Sequence, residues 1–140
     1  MKNQVLILLI AIGMLGCVSP VNVRPVDPSV KLSHVCIQEN QKVRVSDFLQ
    51  VLRDGFDRHG ITTEVFSGNT PSNCEFILTY TALQSWDFAM YLSHAELRIE
   101  KDGKQIAYAG YHLKGGLSSK KWQDTKTKMD PVIDELLKSK

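Results

Sequence analysis

Apolar and polar positions change period several times along the chain, and each change marks an element. From Val30 to Ile37 the period is two, with Leu32 and His34 on one face and Val35 and Ile37 on the other; this predicts a strand. Residues 38–44 are polar and predict a loop. The period then becomes helical: Val45, Phe48, Leu49, Leu52 and Phe56 share one face. Ser46 is placed to cap this helix, Asp47 suits the positive end of its dipole, and Gly60 is placed to end it. Ile61 to Phe66 is rich in β-branched residues and predicts a second strand, which completes a βαβ unit, right-handed by rule. Ser67 to Asn73 is turn chemistry, longer than a tight hairpin needs. Glu75 to Leu83 alternates again and predicts a third strand. The long connection before it lets the chain step over the first strand. The first and third strands are then expected side by side and antiparallel. Leu92–Glu100 and Lys104–Leu113 form a hairpin around Asp102-Gly103. A two-residue loop pairs Ile99 with Ile106, Leu97 with Tyr108, Ala95 with Gly110 and His94 with Tyr111. After Gly115-Gly116 a helix is expected, capped by Ser118 or Ser119, with Trp122, Met129, Ile133, Leu136 and Leu137 on one face. Pro131 either kinks it or opens a second short helix capped by Asp130. The expected fold class is α+β: a two-layer sandwich of about five mostly antiparallel strands, in β-α-β-β-β-β-α order, with two helices on one face.

The N-terminus follows none of these periods. Lys2 precedes a run from Val5 to Leu15 that is apolar throughout and interrupted only by Gly13. Even extended to Val18 the run is about 14 residues, within the range of a secretory signal and short of the about 20 that a spanning helix needs. Met14-Leu15-Gly16-Cys17 resembles the bacterial lipobox, in which a small residue precedes a cysteine that receives a diacylglyceryl thioether. The resemblance implies a signal peptide over 1–16, a diacylglycerol and an N-acyl chain on Cys17, and no other cofactor. An ordinary signal peptide with Cys17 as a bystander is the alternative. Each buried methylene contributes about 0.8 kcal/mol, so one acyl chain holds weakly and two or three hold stably. In the sorting pattern of such proteins, Asp after the cysteine retains the protein on the inner membrane. Val18 stands there, which implies the periplasmic face of the outer membrane, with the periplasmic face of the inner membrane as the alternative. Pro20, Pro25 and Pro28 disfavour helix. Residues 17–29 are therefore either an extended tether or, in part, an edge strand, ahead of a single domain over 30–140.

Taking residues 1–16 from the 140 leaves 124, enough for one domain with a real core. Lys2 leaves with them, so 16 basic residues face 15 acidic ones and the net charge falls from +2 to +1. That balance carries no nucleic-acid signature. Cys36 and Cys74 remain once Cys17 is acylated, and an even pair in an exported chain favours a disulfide. Two free thiols are the alternative. A metal reading would start from His34 and Cys36, but no second pair completes four ligands, so no metal site is expected.

Catalytic chemistry leaves no pattern: there is no G-x-S-x-G, P-loop or dinucleotide glycine signature. His94 and His112 are close in the hairpin, but the expected register puts them on opposite faces, and only a bulge would let them share an ion. Glu96, Arg98 and Glu100, like Asp54, Asp57 and Arg58, read as solvated faces, as do the lysines from Lys120 to Lys128. No catalytic residue is expected. Trp86-Asp87-Phe88-Ala89-Met90-Tyr91 is the densest aromatic stretch. It is either a contact patch for another envelope protein, since aromatics and Met are enriched in interface cores, or a bent strand closing the core. Trp86, Phe88 and Tyr91 are the candidate partner-binding residues, with Tyr111 if the outer sheet face is uncovered.

Tyr80-Thr81-Ala82, Ser85-Trp86-Asp87, Tyr91-Leu92, Ala95, Asp102-Gly103, Tyr108 to Leu113 and Gly115-Gly116 together resemble a group of small proteobacterial and prophage-associated lipoproteins, the Sbal-type. The resemblance spans roughly residues 74–137 and implies no activity. The order of elements is also loosely similar to periplasmic domains of envelope lipoproteins that build secretion or assembly machines, an analogy of fold. The expected function is a non-catalytic adaptor or accessory subunit, held on the membrane by lipid and binding another envelope component. A small-ligand or peptidoglycan-binding module is the alternative, and a hydrolase a distant third.

Overall fold

A computed structural model describes residues 21–138. Cys17 and the segment 1–16 lie outside the described residues. The elements in chain order are β1 (Val21–Arg24), β2 (His34–Gln38), α1 (Phe48–Arg58), β3 (Thr62–Phe66), β4 (Phe76–Asp87), β5 (Ala89–Lys101), β6 (Lys104–His112) and α2 (Thr125–Leu136), with a 3-10 turn over Ser119–Trp122. The strands form one six-stranded sheet in the order β1-β6-β5-β4-β2-β3. It is mostly antiparallel, and both helices pack on one side of it, the two-layer α+β sandwich that the periodicity predicts. Val35, Ile37, Leu78, Leu97, Ile99, Phe48, Leu52, Phe56, Met129 and Ile133 are fully buried between the layers.

One alternative left open by the sequence is decided, and two features depart from its reading. First, residues 21–24 are an edge strand that pairs antiparallel with β6, and Val26 behind it is buried in the core. An edge strand tolerates the flanking prolines because one of its sides needs no ladder donors. Second, β2 and β4 are neighbours, as the long connection implied, but they run parallel, with Cys36 opposite Ile77. The nine residues 67–75 reach about 30 Å extended, against about 17 Å for a five-residue strand, which is enough for the chain to return to the starting end before β4 begins. The Cys36–Cys74 disulfide, with Cα atoms 5.7 Å apart, clasps this return to β2. Third, the β5–β6 register slips by one. Glu100 faces Gln105 as expected, but Ile99 faces Ala107, and Ile106 is the extra residue of a bulge. Ala107, Ala109 and Tyr111 thereby face the helices, and small side chains there let α2 approach the sheet. Tyr108, Gly110 and His112 turn to the outer face.

The helix ends also differ in detail. Asp47 occupies the cap position of α1, and its carboxylate accepts from Thr125 Oγ1 at 2.8 Å instead of capping its own helix. The C-terminal segment breaks at Gln123-Asp124, not at Asp130. Asp124 caps α2 by accepting from Thr127 N–H at 2.6 Å, and the helix runs through Pro131. Pro131 is exposed, so the carbonyl it leaves without a donor lies on the side open to water. The helices meet at Gly55, where an added Cβ would lie 2.7 Å from Ile133 Cδ1.

Candidate functional site

Among the described residues no helix covers the outer face of the sheet, and the residues of that face alternate with the core set along the long strands. The bulge at Ile106 places His94 opposite His112 on this face, with ring centroids 5.5 Å apart. This corrects the expectation that they lie on opposite faces. His94 Nε2 is 3.2 Å from Glu96 Oε1, and Glu96 is also paired with Arg98, whose guanidinium lies over the Tyr108 ring. Gly110 leaves room for Tyr108 to lie across it, since a Cβ there would be 2.6 Å from the Tyr108 hydroxyl. A cleft of about 450 Å³ opens beside these groups, lined by Val21, His94, Tyr108, Gly110, His112 and Lys120 among others. Glu96, expected on a solvated face, is therefore the centre of a small ionic row.

Tyr111 is not on this face. It is 5% exposed and packs toward the helices, and burial pushes its phenol up. Its candidacy as a partner contact rested on the unslipped register and is withdrawn. Tyr91 is also buried. Its ring lies 5.7 Å from Lys121 Nζ and 5.5 Å from Lys128 Nζ, and the 3-10 turn covers it.

Trp86 and Phe88 are the candidates that the fold brings to the surface. β4 and β5 run on past the rest of the sheet as a two-stranded hairpin, with Trp86 opposite Met90 and Asp87 opposite Ala89. Phe88 turns the chain alone, at φ +59°. That conformation strains a bulky residue. Phe88 is 88% exposed, Trp86 72% and Met90 56%. The stretch is a bent strand pair, as one of the two readings had it, yet Trp86 and Phe88 do not close the core. Leu117 and Trp122, on the segment that follows β6 at the same end, are exposed as well.

Two buried lysines hold the base of this tip. Lys121, 4% exposed, forms an ion pair with Asp87. Trp122 Nε1 donates to the Asp87 carbonyl at 3.1 Å. Lys128, 5% exposed, donates through Nζ to the carbonyls of Leu92 at 3.1 Å and of Lys121, and burial pushes its ammonium pKa down. The reading of Lys120–Lys128 as a solvated face is thus wrong for these two. The signal was available: Lys128, Val132 and Leu136 are four apart, on the core stripe of α2.

Two further clusters are structural. His34, Cys36 and Glu64 place one donor atom each within 4.8 Å, but the Cys36 sulfur is bonded to Cys74 and offers no thiolate. Arg58 and His59 at the end of α1 bond Asp134 at 2.7 and 2.8 Å, and Arg58 also bonds Asp130, which ties α1 to α2. Among the described residues no helix is long and apolar enough to cross a membrane.

The fold and this surface define a small α+β domain with one bare sheet face and a protruding apolar hairpin. No protein-family model and no curated protein matches the chain. Among solved structures it is similar to a PelC dodecamer from Paraburkholderia phytofirmans, with a TM-score of 0.58 and 8% identity over 84% of this chain and 98% of that one. A second structure, a single-substitution variant of the PelC dodecamer from the same organism, gives 0.52 and 11% over 86% and 99%. At these identities the likeness is one of fold.

Proposed function

We propose that this protein is a lipid-anchored, non-catalytic accessory subunit of the cell envelope, held through acylated Cys17 on the periplasmic face of the outer membrane. One observation carries the reading. β1 begins at Val21, four residues after Cys17, and runs in the same direction as β5. The chain that arrives from Cys17 therefore enters the fold at the end where the β4–β5 hairpin exposes its apolar tip. An anchored module needs one end for the membrane and another surface for its partner, and a chain entry at one end of the sheet supports such a division. The bare sheet face is the surface left for a second envelope component. The disulfide suits an oxidising compartment. The two PelC structures of similar fold are dodecamers, and self-association is one form in which such a subunit would work. The Sbal-type lipoproteins remain the group we propose as its relatives.

Cys17→Ser tests the anchor. The substituted chain is expected to leave the membrane fraction or to persist as an uncleaved precursor. Unchanged processing and fractionation would remove the basis of the proposal. The cleft beside His94, Tyr108 and His112 favours a second reading, a small-ligand module, because its about 450 Å³ is within the usual range of ligand sites. A ligand retained by the native protein and lost on Gly110→Leu, which fills the cleft floor, would favour that reading.

A further inference from the structure

The large exposed apolar side chains gather toward one end of the molecule. Trp86, Phe88 and Met90 are on the hairpin tip, Leu83 is at its base, and Leu117 and Trp122 are on the segment that follows β6 at the same end. Trp86 and Met90 face each other across the hairpin with Phe88 at its turn, and apolar exposure of this kind marks a contact surface. The tip is not a loose loop: the Lys121–Asp87 pair, the Trp122–Asp87 hydrogen bond and the Lys128 bonds to Leu92 and Lys121 fix its base.

The chain length ahead of β1 identifies the occupant. Val21, Tyr111 and Ala95 are level across β1, β6 and β5. From Ala95 the hairpin continues seven residues to Phe88, about 23 Å at about 3.3 Å per residue. From Val21 back to Cys17 are four residues, which reach at most about 14 Å. The tip therefore extends about 9 Å past the farthest point that residue 17 reaches in the strand direction, and apolar faces at a bilayer boundary are buried by about 5–10 Å. Trp and Tyr side chains favour that boundary. The charges agree: Lys114 and Lys120 are exposed at this end, the Asp87 carboxylate is paired with Lys121, and the exposed Asp124 carboxylate is engaged by Thr127 as the cap of α2, so the end offers an excess of cations to anionic head groups.

We propose that Trp86, Phe88 and Met90 sit in the interfacial layer of the membrane that holds the Cys17 acyl chains, so that the β4–β5 hairpin is a second, non-covalent membrane contact. The proposal rests on acylation of Cys17, and it adds orientation to anchoring. A lipid on a short tether leaves a domain free to swivel, whereas two contacts at one end set the sheet upright and present its bare face sideways, clear of the lipid.

The test places a photoreactive benzoylphenylalanine at position 88 of the full chain in its native membranes, with the same group at Lys104, the first residue of β6 beside the turn at the far end, as the reference. Phospholipid adducts at position 88 and none at 104 are expected. An adduct to a second copy, an adduct to another protein, no adduct at position 88, or equal lipid adducts at both positions would overturn the proposal. The N-terminal mass of the same material reads acylation separately. Acylated Cys17 without a lipid adduct at 88 refutes the tip contact and leaves the anchor standing. A lipid adduct with bare Cys17 refutes the anchor and overturns the proposal as a second contact, leaving the tip as the membrane contact by itself.

Discussion

Asp87→Ala removes the carboxylate that meets Lys121 and leaves the lysine where it is. The pair is asymmetric: the Lys121 side chain is 5% exposed and that of Asp87 37%. Breaking a fully buried pair from one side costs about 3–5 kcal/mol, because a charge is left behind in a poor solvent. Breaking an exposed one costs about 0.2–1 kcal/mol. The present pair lies between, with the lysine inside and the aspartate half out. The Tyr91 and Trp122 rings, 5.7 and 6.0 Å from Nζ, remain as partial compensation of about 0.5–1 kcal/mol each. The expected cost of Asp87→Ala is therefore about 1–3 kcal/mol. Lys121→Met keeps the stem, removes the buried charge and leaves Asp87 to water, so its expected cost is below about 1 kcal/mol. The double variant is expected near Lys121→Met alone. Urea unfolding of the full chain, followed by tryptophan fluorescence at constant m-value, measures all four corners of the cycle. Equal costs for the two single variants, or a larger cost for Lys121→Met, would refute the view that the lysine is the buried member and the aspartate its solvent-facing counter-charge.

Other outcomes follow from the core and the helix layer. Gly55→Val is expected to destabilise by about 1–3 kcal/mol, since its Cβ meets Ile133 at 2.7 and 2.9 Å, whereas Gly60→Asn, with open space around it at φ +71°, is expected to cost well under 1 kcal/mol; thermal unfolding compares them. Reducing Cys36–Cys74, which closes a separation of 38 residues, is expected to cost about 4 kcal/mol on the loop-entropy model, and an unchanged urea midpoint after reduction would contradict the clasp. Burial pushes the Asp134 carboxyl up, but the hydrogen bonds from His59 and Arg58 outweigh it and hold the group below the usual carboxylate value. Its folded pKa is lowered, so its contribution is present above the ordinary Asp range and is lost as pH falls through the folded value. The stability gap between the natural chain and Asp134→Asn is expected to close on acidification below about pH 4, where the unfolded carboxyl begins to protonate. A gap that widens there would contradict the assignment.

The sheet, the βαβ start and the turn at Asp102-Gly103 were legible because each rests on a local pattern: period two, period 3.6, and two residues at φ +50° and +72°. The Cys36–Cys74 bridge was legible from the even cysteine pair of an exported chain. The bulge was not. In Ile106-Ala107-Tyr108-Ala109-Gly110-Tyr111 either alternate set reads as apolar, so the pattern fits both registers, and only the helix pressing on Ala107 and Ala109 selects one. That single slip moved Tyr111 into the core and joined His94 to His112. The direction of β4 was likewise a tertiary choice, because nine loop residues permit either sense. Lys128 stood on the core stripe of α2, but Lys121 carried no such signal, since lysine is rarely buried without partners and the partners of the two, Asp87 and the Leu92 carbonyl, are distant in sequence. The aromatic stretch was recognised, but which of its members face outward depended on the 3-10 turn that covers Tyr91.

The central claim is that one end of the fold meets the bilayer, and Trp86 reports on it directly. The full, acylated protein is reconstituted in phospholipid vesicles whose acyl chains carry bromine, and tryptophan emission is recorded for the natural chain and for Trp86→Phe. Strong quenching that largely disappears with Trp86→Phe is the predicted result. Emission that brominated lipid leaves untouched, from protein that sediments completely with the vesicles, would contradict it.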